Sequence, residues 1–458
     1  MSERSRTAND VIGNLMRALA SNGRALLRLP VNSDEGAMTS LDSIGDLLLS
    51  RRGEASGTVL AHQLLEGYMK ASKEVRLNFL VALAERFEAD RNTLQTAIAA
   101  YQARPTANTV QTLHQAAEPR RQELIRRLNL SPGGTFQLVK MREDLLGHLP
   151  ERPDLAAVDA DFVHLFASWF NRGFLTVQPI DWRTSANVLE KLIRYEAVHA
   201  IHDWTDLRSR LDPADRRCFG FFHPRLVDEP LIFVEVALTA DIPAAIGPLL
   251  SSERTSLAAE DATTAVFYSI SNTQKGLSGI SFGNFLIKQV VDDLKQELPN
   301  LKSFVTLSPA PGFATWLARE RKLEASLHLT TRAKGLLQIL DEPDWHFIPE
   351  KREAVRAPLM EAALSYYLRA KTAKGLPVDP VARFHLGNGA RLERLNFLGD
   401  VSAKGLAQSH GLMVNYLYVL GDIEKNHEAF AERGRIAGSS GVLKAQSFPP
   451  NREVVPVS

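Results

Sequence analysis

The segment from Thr264 to Phe313 constrains this chain more than any other. It holds a strand-like run, Val266–Ile270, and then a loop spaced by Gly276, Gly279 and Gly283. An apolar pattern at helical spacing follows from about Asn284 to Leu298. A second strand-like run, Ser303–Leu307, closes on Ser308-Pro309. Strand, loop, helix and strand predict a unit in which the loop meets a helix N-terminus. Backbone N–H groups converge on an anion at such a place, and the helix dipole favours negative charge. Glycine lets the chain approach that anion without a Cβ in the way. Lys275 and Lys288 would add positive charge. The loop lacks the Gly-Lys-Ser/Thr ending of a Walker loop and the Gly-x-Gly-x-x-Gly of dinucleotide sites. On these residues alone, a structural turn and a phosphate-binding loop both fit.

Within the loop, Gly279-Ile280-Ser281-Phe282-Gly283 spells Gly-x-Ser-x-Gly, the nucleophile elbow of α/β-hydrolases. An elbow sets its serine on a tight turn directly between strand and helix. Here eight residues separate Ile270 from Gly279, although an acid and a histidine, Asp400 and His410, do follow. The spacing marks the match as a coincidence.

A chain of 458 residues exceeds one comfortable core, which predicts at least two domains. Its 54 basic and 53 acidic residues leave a net charge of +1, without the basic bias of a dedicated nucleic-acid binder. Cys218 is the sole cysteine, so an intrachain disulfide and a four-cysteine zinc site are excluded, which suits a reducing compartment. Apolar runs stay well short of the roughly 20 residues that span a bilayer, so no membrane association is expected. The run Leu231–Leu238 is strand-sized and is broken by Glu235. Arg4, Arg6, Arg17, Arg24 and Arg28 lie in a Ser/Ala/Leu-rich start that faintly resembles an organelle transit segment. Glu3 and Asp10 count against that, and the expected location is the cytoplasm. The ending Val455-Pro456-Val457-Ser458 is no peroxisomal or retention signal.

Residues 1–172 read almost wholly as helix. Leu80, Leu83, Ala84 and Phe87 form one apolar stripe on a helix that Ser72 would cap. Leu94–Gln102 reads as helix too. Glu118–Leu130 carries Arg120, Arg121, Arg126 and Arg127, expected on a solvated face. Ser131-Pro132-Gly133-Gly134 breaks that helix, and Asp161–Phe170 reads as the last one before Asn171-Arg172-Gly173. Beyond Gly173 strand-like runs appear. Cys218–Phe222 and Leu231–Leu238 predict a hairpin. Ala354–Ala373 reads as helix, with shorter strand-like runs near Arg394–Phe397 and Leu412–Val419. The Gly/Ser/Pro-rich tail beyond Gly434 is expected to fray or pack loosely. The expected organisation is a helical domain, 1–175, used for oligomerisation, and a mixed α/β catalytic domain, 176–458.

Ser308 ends a strand-like run, and Pro309, Pro311 and Gly312 fix the backbone behind it. Open α/β sheets bind ligands near such strand ends; a structural turn serine is the other reading. His385 lies beside the turn signal Asn388-Gly389, a place typical of surface histidines, yet imidazole is well suited to proton work near neutral pH. Tyr416 is read as core. His199, His202 and Asp203 lack a third well-spaced ligand for a metal.

Several blocks together resemble the malonyl-CoA decarboxylase family: FFHPRLVDEPLIFVEVALT (221–239), FYSISNTQKGLSGISFGNFLIKQVV (267–291), TLSPAPGF (306–313), PVARFHLGNGA (380–390) and DVSAKGLAQSHGLMVNYLY (400–418). They run in order over about 185–420. The resemblance implies an N-terminal all-helical bundle used in tetramer assembly, followed by a catalytic domain with the mixed α/β fold of GCN5-related acetyltransferases. In that fold a strand, a pyrophosphate loop, a helix and a splayed strand hold coenzyme A. The family's substrate loop falls on Ser278, Gly279, Ile280, Ser281, Phe282, Gly283 and Asn284. Its active-site serine and histidine fall on Ser308 and His385, and a nearby tyrosine on Tyr418. Ser281 departs from relatives that carry an acidic residue there. The implied reaction takes malonyl-CoA to acetyl-CoA and carbon dioxide with no cofactor beyond the coenzyme A in the substrate. A CoA-dependent acyltransferase of the same fold and a non-catalytic acyl-CoA sensor are the alternatives.

Overall fold

The computed structural model describes residues 40–50, 53–280 and 286–446. The chain forms two compact units that divide after Leu175. Two short later segments, 223–227 and 274–280, group with the first unit, a discontinuity not visible in the sequence.

The first unit is built of helices: Leu41–Leu49, Glu54–Lys70, Lys73–Glu85, Arg91–Ala103, Ala107–Ala117, Arg120–Asn129, Gly134–His148 and Ala156–Trp169. Local chemistry sets several starts. Ser72 accepts the N–H of Val75 at 3.3 Å, and Asp90 accepts that of Thr93 at 2.8 Å. Each satisfies a donor that the first turn leaves unpaired. The arginine-rich helix ends at Asn129, and Gly133, left-handed at φ 71°, takes the N-cap position of the next helix. Leu64, Leu65, Leu80, Leu124, Ile125, Leu138 and Phe162 fill the core. The expected solvated arginine face needs one correction. Arg121 is buried, because it shares the face of Leu124, Ile125 and Leu128 at helical spacing. Its Nε donates to Asp161 and its Nη1 to the carbonyl of Leu83.

The second unit is organised on an eight-stranded sheet: β1 Thr176–Pro179, β2 Arg216–Phe222, β3 Pro230–Thr239, β4 Thr264–Asn272, β5 Ser303–Thr306, β6 Ser308–Pro309, β7 Arg391–Asn396 and β8 Met413–Leu417. The order is β1-β2-β3-β4-β5-β8-β6, with β7 on the other side of β8. β2 and β3 form the expected antiparallel hairpin. β4 and β5 are parallel, from Thr264 opposite Ser303 to Phe267 opposite Thr306. Parallel neighbours need a crossover, and the helix Leu286–Glu297 supplies it. β3 is buried at every position except Thr239, and Glu235 within it pairs with Arg210 at 3.2 Å.

Two further expectations shift. The helix placed at Ala354–Ala373 runs Pro349–Leu368, because Pro349 takes a first-turn position where its missing N–H costs nothing. The tail beyond Gly434 does not fray through its described part. Leu392 of β7 bonds Ala437 and Ser439 by its N–H and carbonyl at 2.8 and 2.9 Å, and Val442 is buried on the helix that follows. The arginines of the N-terminal start lie outside the described residues.

Candidate active site

A break in the sheet positions the site. β5 stops at Thr306, the N–H of Leu307 donates to Phe267 at 3.0 Å, and β6 opens at Ser308 opposite Val414. β4 continues beyond its last pair with β5, so the two strands part where Ser308 emerges. Tyr418 directly follows β8, and its N–H donates to Phe304 at 2.8 Å. His385 occupies the last turn of the helix Pro380–Gly387. Asp379 caps that helix, accepting the N–H of Ala382 at 2.7 Å. The phenol of Tyr366 donates to the other oxygen of Asp379 at 3.1 Å. Burial pushes the carboxyl of Asp379 up to about 6.

The structure brings Ser308, His385 and Tyr418 together. Ser308 Oγ donates to Thr306 Oγ1 at 2.9 Å and lies 3.2 Å from His385 Nε2. His385 Nδ1 lies 2.8 Å from the hydroxyl of Tyr418. These contacts fix the direction of the chain. The serine proton is committed to Thr306, so Ser308 Oγ accepts from His385, and Nε2 carries the imidazole proton. Nδ1 then accepts from Tyr418, whose phenol burial keeps protonated. His385 is 3% exposed, and burial brings its pKa down to about 3, so the ring is neutral at physiological pH. The surface position expected for a histidine beside a turn is therefore not what the fold makes. The helix end turns the ring inward, where it stacks on Tyr416 with centroids 4.7 Å apart. Tyr416 is core, as its position in an apolar strand indicates. A neutral Nε2–H and a serine hydroxyl side by side can hold an oxygen that gains negative charge.

Thr306, Asp379 and Tyr366 were not singled out in the sequence. Thr306 lies two residues before Ser308 on one strand face, a period-two signal. Asp379-Pro380 is an N-cap followed by a first-turn proline, also readable in principle. Tyr366 is joined only by tertiary folding.

Only part of the loop lies among the described residues. Ser281, Phe282, Gly283 and Asn284 lie outside the described residues, and the Gly-x-Ser-x-Gly reading lies there with them. Ser278, Gly279 and Ile280 follow a short turn of helix, Lys275–Leu277. Gly279 has φ 78°, a left-handed conformation that favours glycine, and a Cβ there would meet open space. Lys288 is engaged with Glu424. His202 is exposed and bonds Asp206, while His199 is half-buried. Among the described residues no group of three or more His, Cys, Asp or Glu side chains could hold a metal ion. No described helix is long and apolar enough to cross a membrane.

Comparison with known proteins gives consistent matches over both units. The family model for the malonyl-CoA decarboxylase N-terminal domain matches residues 87–170, and that for the C-terminal domain matches 173–454. The mitochondrial malonyl-CoA decarboxylase of Anser anser anser is 35% identical over 401 residues, 80% of this chain and 79% of its own length. The crystal structure of malonyl-CoA decarboxylase from Rhodopseudomonas palustris is 62% identical, with TM-score 0.87, over 89% of this chain and all of that one. The structure from Agrobacterium vitis is 56% identical, with TM-score 0.85, over 90% of this chain and all of that one. A helical unit, a mixed sheet and these likenesses define a carboxy-lyase. The chain belongs to the malonyl-CoA decarboxylase family.

Proposed function

We propose that Ser308, His385 and Tyr418 carry out the family's reaction, malonyl-CoA + H⁺ → acetyl-CoA + CO₂. A carboxylate beta to a thioester leaves as CO₂ when the breaking C–C bond lies out of the plane of the forming enolate. Its electron pair passes into the thioester, which ends as an enolate, and the α-carbon then takes the proton consumed in the net reaction. The thioester is its own electron sink, so this chemistry requires no organic cofactor. The carrying observation is the directed chain from Tyr418 through His385 to Ser308 and Thr306. With substrate bound, the Ser308 hydroxyl turns from Thr306 to the malonyl carboxylate and orients it. His385 Nε2–H bonds the thioester oxygen as charge develops there. Tyr418 holds the ring in the productive tautomer.

The loop Ser278–Asn284 is read as the cradle of the coenzyme A phosphates, supported by the open left-handed turn at Gly279. The helical unit is read as the assembly surface of a homotetramer, which light scattering on the purified chain tests. Cytoplasm is the proposed location. Buried Cys218 and the acidic Glu3 and Asp10 support it, and imaging the tagged full chain in an organelle would refute it. The decisive assay gives purified protein malonyl-CoA alone and follows acetyl-CoA, CO₂ and free thiol together. Equal acetyl-CoA and CO₂ with no thiol is the expected result. Free thiol indicates a hydrolase, an acylated acceptor an acyltransferase, and binding without CO₂ a sensor.

A further inference from the structure

Arg142 is 2% exposed, yet it lies on the helix Gly134–His148 and takes no part in the chemistry described above. Its Nε donates to Asp159 at 2.8 Å. Its Nη1 donates to two backbone carbonyls, Gly276 at 2.7 Å and Ser278 at 2.9 Å. Both belong to the segment 274–280, which groups with the helical unit. The same helix receives Gly276 so closely that a Cβ there would lie 1.9 Å from the carbonyl oxygen of Val139. Arg142 and Val139 thus grip the root of the glycine loop.

The grip has a direction. The carbonyl of Ser278 and the N–H of Gly279 belong to one peptide unit. No peptide bond among the described residues is cis, so that N–H points away from the carbonyl and away from Arg142. The N–H groups of Leu277, Ser278 and Ile280 donate to Gln274, Lys275 and Leu277 within the turn. The N–H of Gly279 has no acceptor among the described residues. A guanidinium on the carbonyl side polarises the peptide and makes its N–H a stronger donor. The unit is therefore aimed and charged as an anion donor from behind, by a residue that does not itself touch the anion.

We propose that Arg142, oriented by Asp159, is a positioning residue for binding of the substrate's phosphates, acting through the Ser278–Gly279 peptide. This rests on the reading of residues 278–284 as the coenzyme A cradle. The test compares steady-state kinetics on malonyl-CoA and on malonyl-pantetheine, a thioester that lacks the pyrophosphate. Arg142→Lys keeps the charge but loses the fork that spans two carbonyls. Loss of about one charge-assisted contact predicts a KM for malonyl-CoA raised roughly tenfold, with kcat nearly unchanged. Kinetics on malonyl-pantetheine should stay within about twofold of the parent's on the same reasoning. Asp159→Asn, a milder change, should shift KM in the same direction by less, and it serves if Arg142→Lys fails to fold. Equal losses on both thioesters, or no change on either, overturn the proposal. Gly279→Ala separates the underlying reading. If it leaves the KM for malonyl-CoA unchanged, the loop is not the cradle. If it raises that KM while Arg142→Lys and Asp159→Asn do not, the cradle stands and the positioning role falls.

Discussion

The protonation state of His385 distinguishes two mechanisms, and the difference is large enough to measure. Burial brings the imidazole down to about 3. At pH 7 roughly one ring in ten thousand is then an imidazolium, so routing catalysis through the cation would cost about 5 kcal/mol. A neutral Nε2–H donor carries no such cost. The neutral mechanism predicts that kcat on malonyl-CoA is flat between pH 5.5 and 8 as far as His385 is concerned. An imidazolium acid with the same low pKa predicts a tenfold fall for each pH unit gained. The perturbation is a pair of substitutions. His385→Ala removes the donor and should lower kcat by about 10²–10³, the range for one oxyanion donor. His385→Gln keeps an N–H donor and cannot titrate, so it should recover part of that loss. The assay is stopped-time chromatography of acetyl-CoA across the pH range for all three proteins. A slope of −1 in the parent that vanishes in His385→Gln would falsify the neutral-donor mechanism.

Tyr418→Phe removes one 2.8 Å bond and leaves Nδ1 unpaired, so kcat should fall about tenfold with the KM for malonyl-CoA nearly unchanged; a larger rise in KM than fall in kcat counts against a tautomer-holding role. The carboxyl of Asp379, at about 6 when folded against an ordinary 3.8, keeps its proton in the native state between those values. Its contribution to stability is full below about 4 and is lost as pH rises through 6, roughly 3 kcal/mol at most. Asp379→Asn should flatten that part of the stability profile in urea titrations, and an unchanged pH dependence would contradict the assignment. Burial raises the thiol of Cys218, so a thiol reagent should find none in the native protein and one after denaturation. A rapidly reacting native thiol would show that β2 opens.

The periodic parts of the chain could be read from residues alone. The apolar stripe through Leu80 and Leu83 and the strand–loop–helix–strand order both appear, since each is set by spacing within a few turns or one strand, although Phe87 packs just beyond the helix end at Glu85. Ser308 was legible because two prolines and a glycine mark it. The inward turn of His385 was not, since it depends on β7 pairing with β8 and on Tyr416 lying under the ring. Arg121 read as solvated because its partner, Asp161, lies forty residues away. Arg142 was invisible as a loop support for the same reason, its two carbonyl partners lying more than a hundred residues further on.

The passage of residues 274–280 into the helical unit bears on how the chain is made. Synthesis runs from the N-terminus, and domains ordinarily close as they emerge. Here the helices through Trp169 are complete long before Gly276 is available to Val139 and Arg142. Arg142 must therefore wait, charged and half-satisfied by Asp159 alone, while roughly a hundred further residues are translated. Ribosome-bound chains released before and after Gly279 should differ in protease resistance within the first 175 residues. A cut after Leu175 would leave the helical piece without residues 223–227 and 274–280, which the other piece would carry away from their partners.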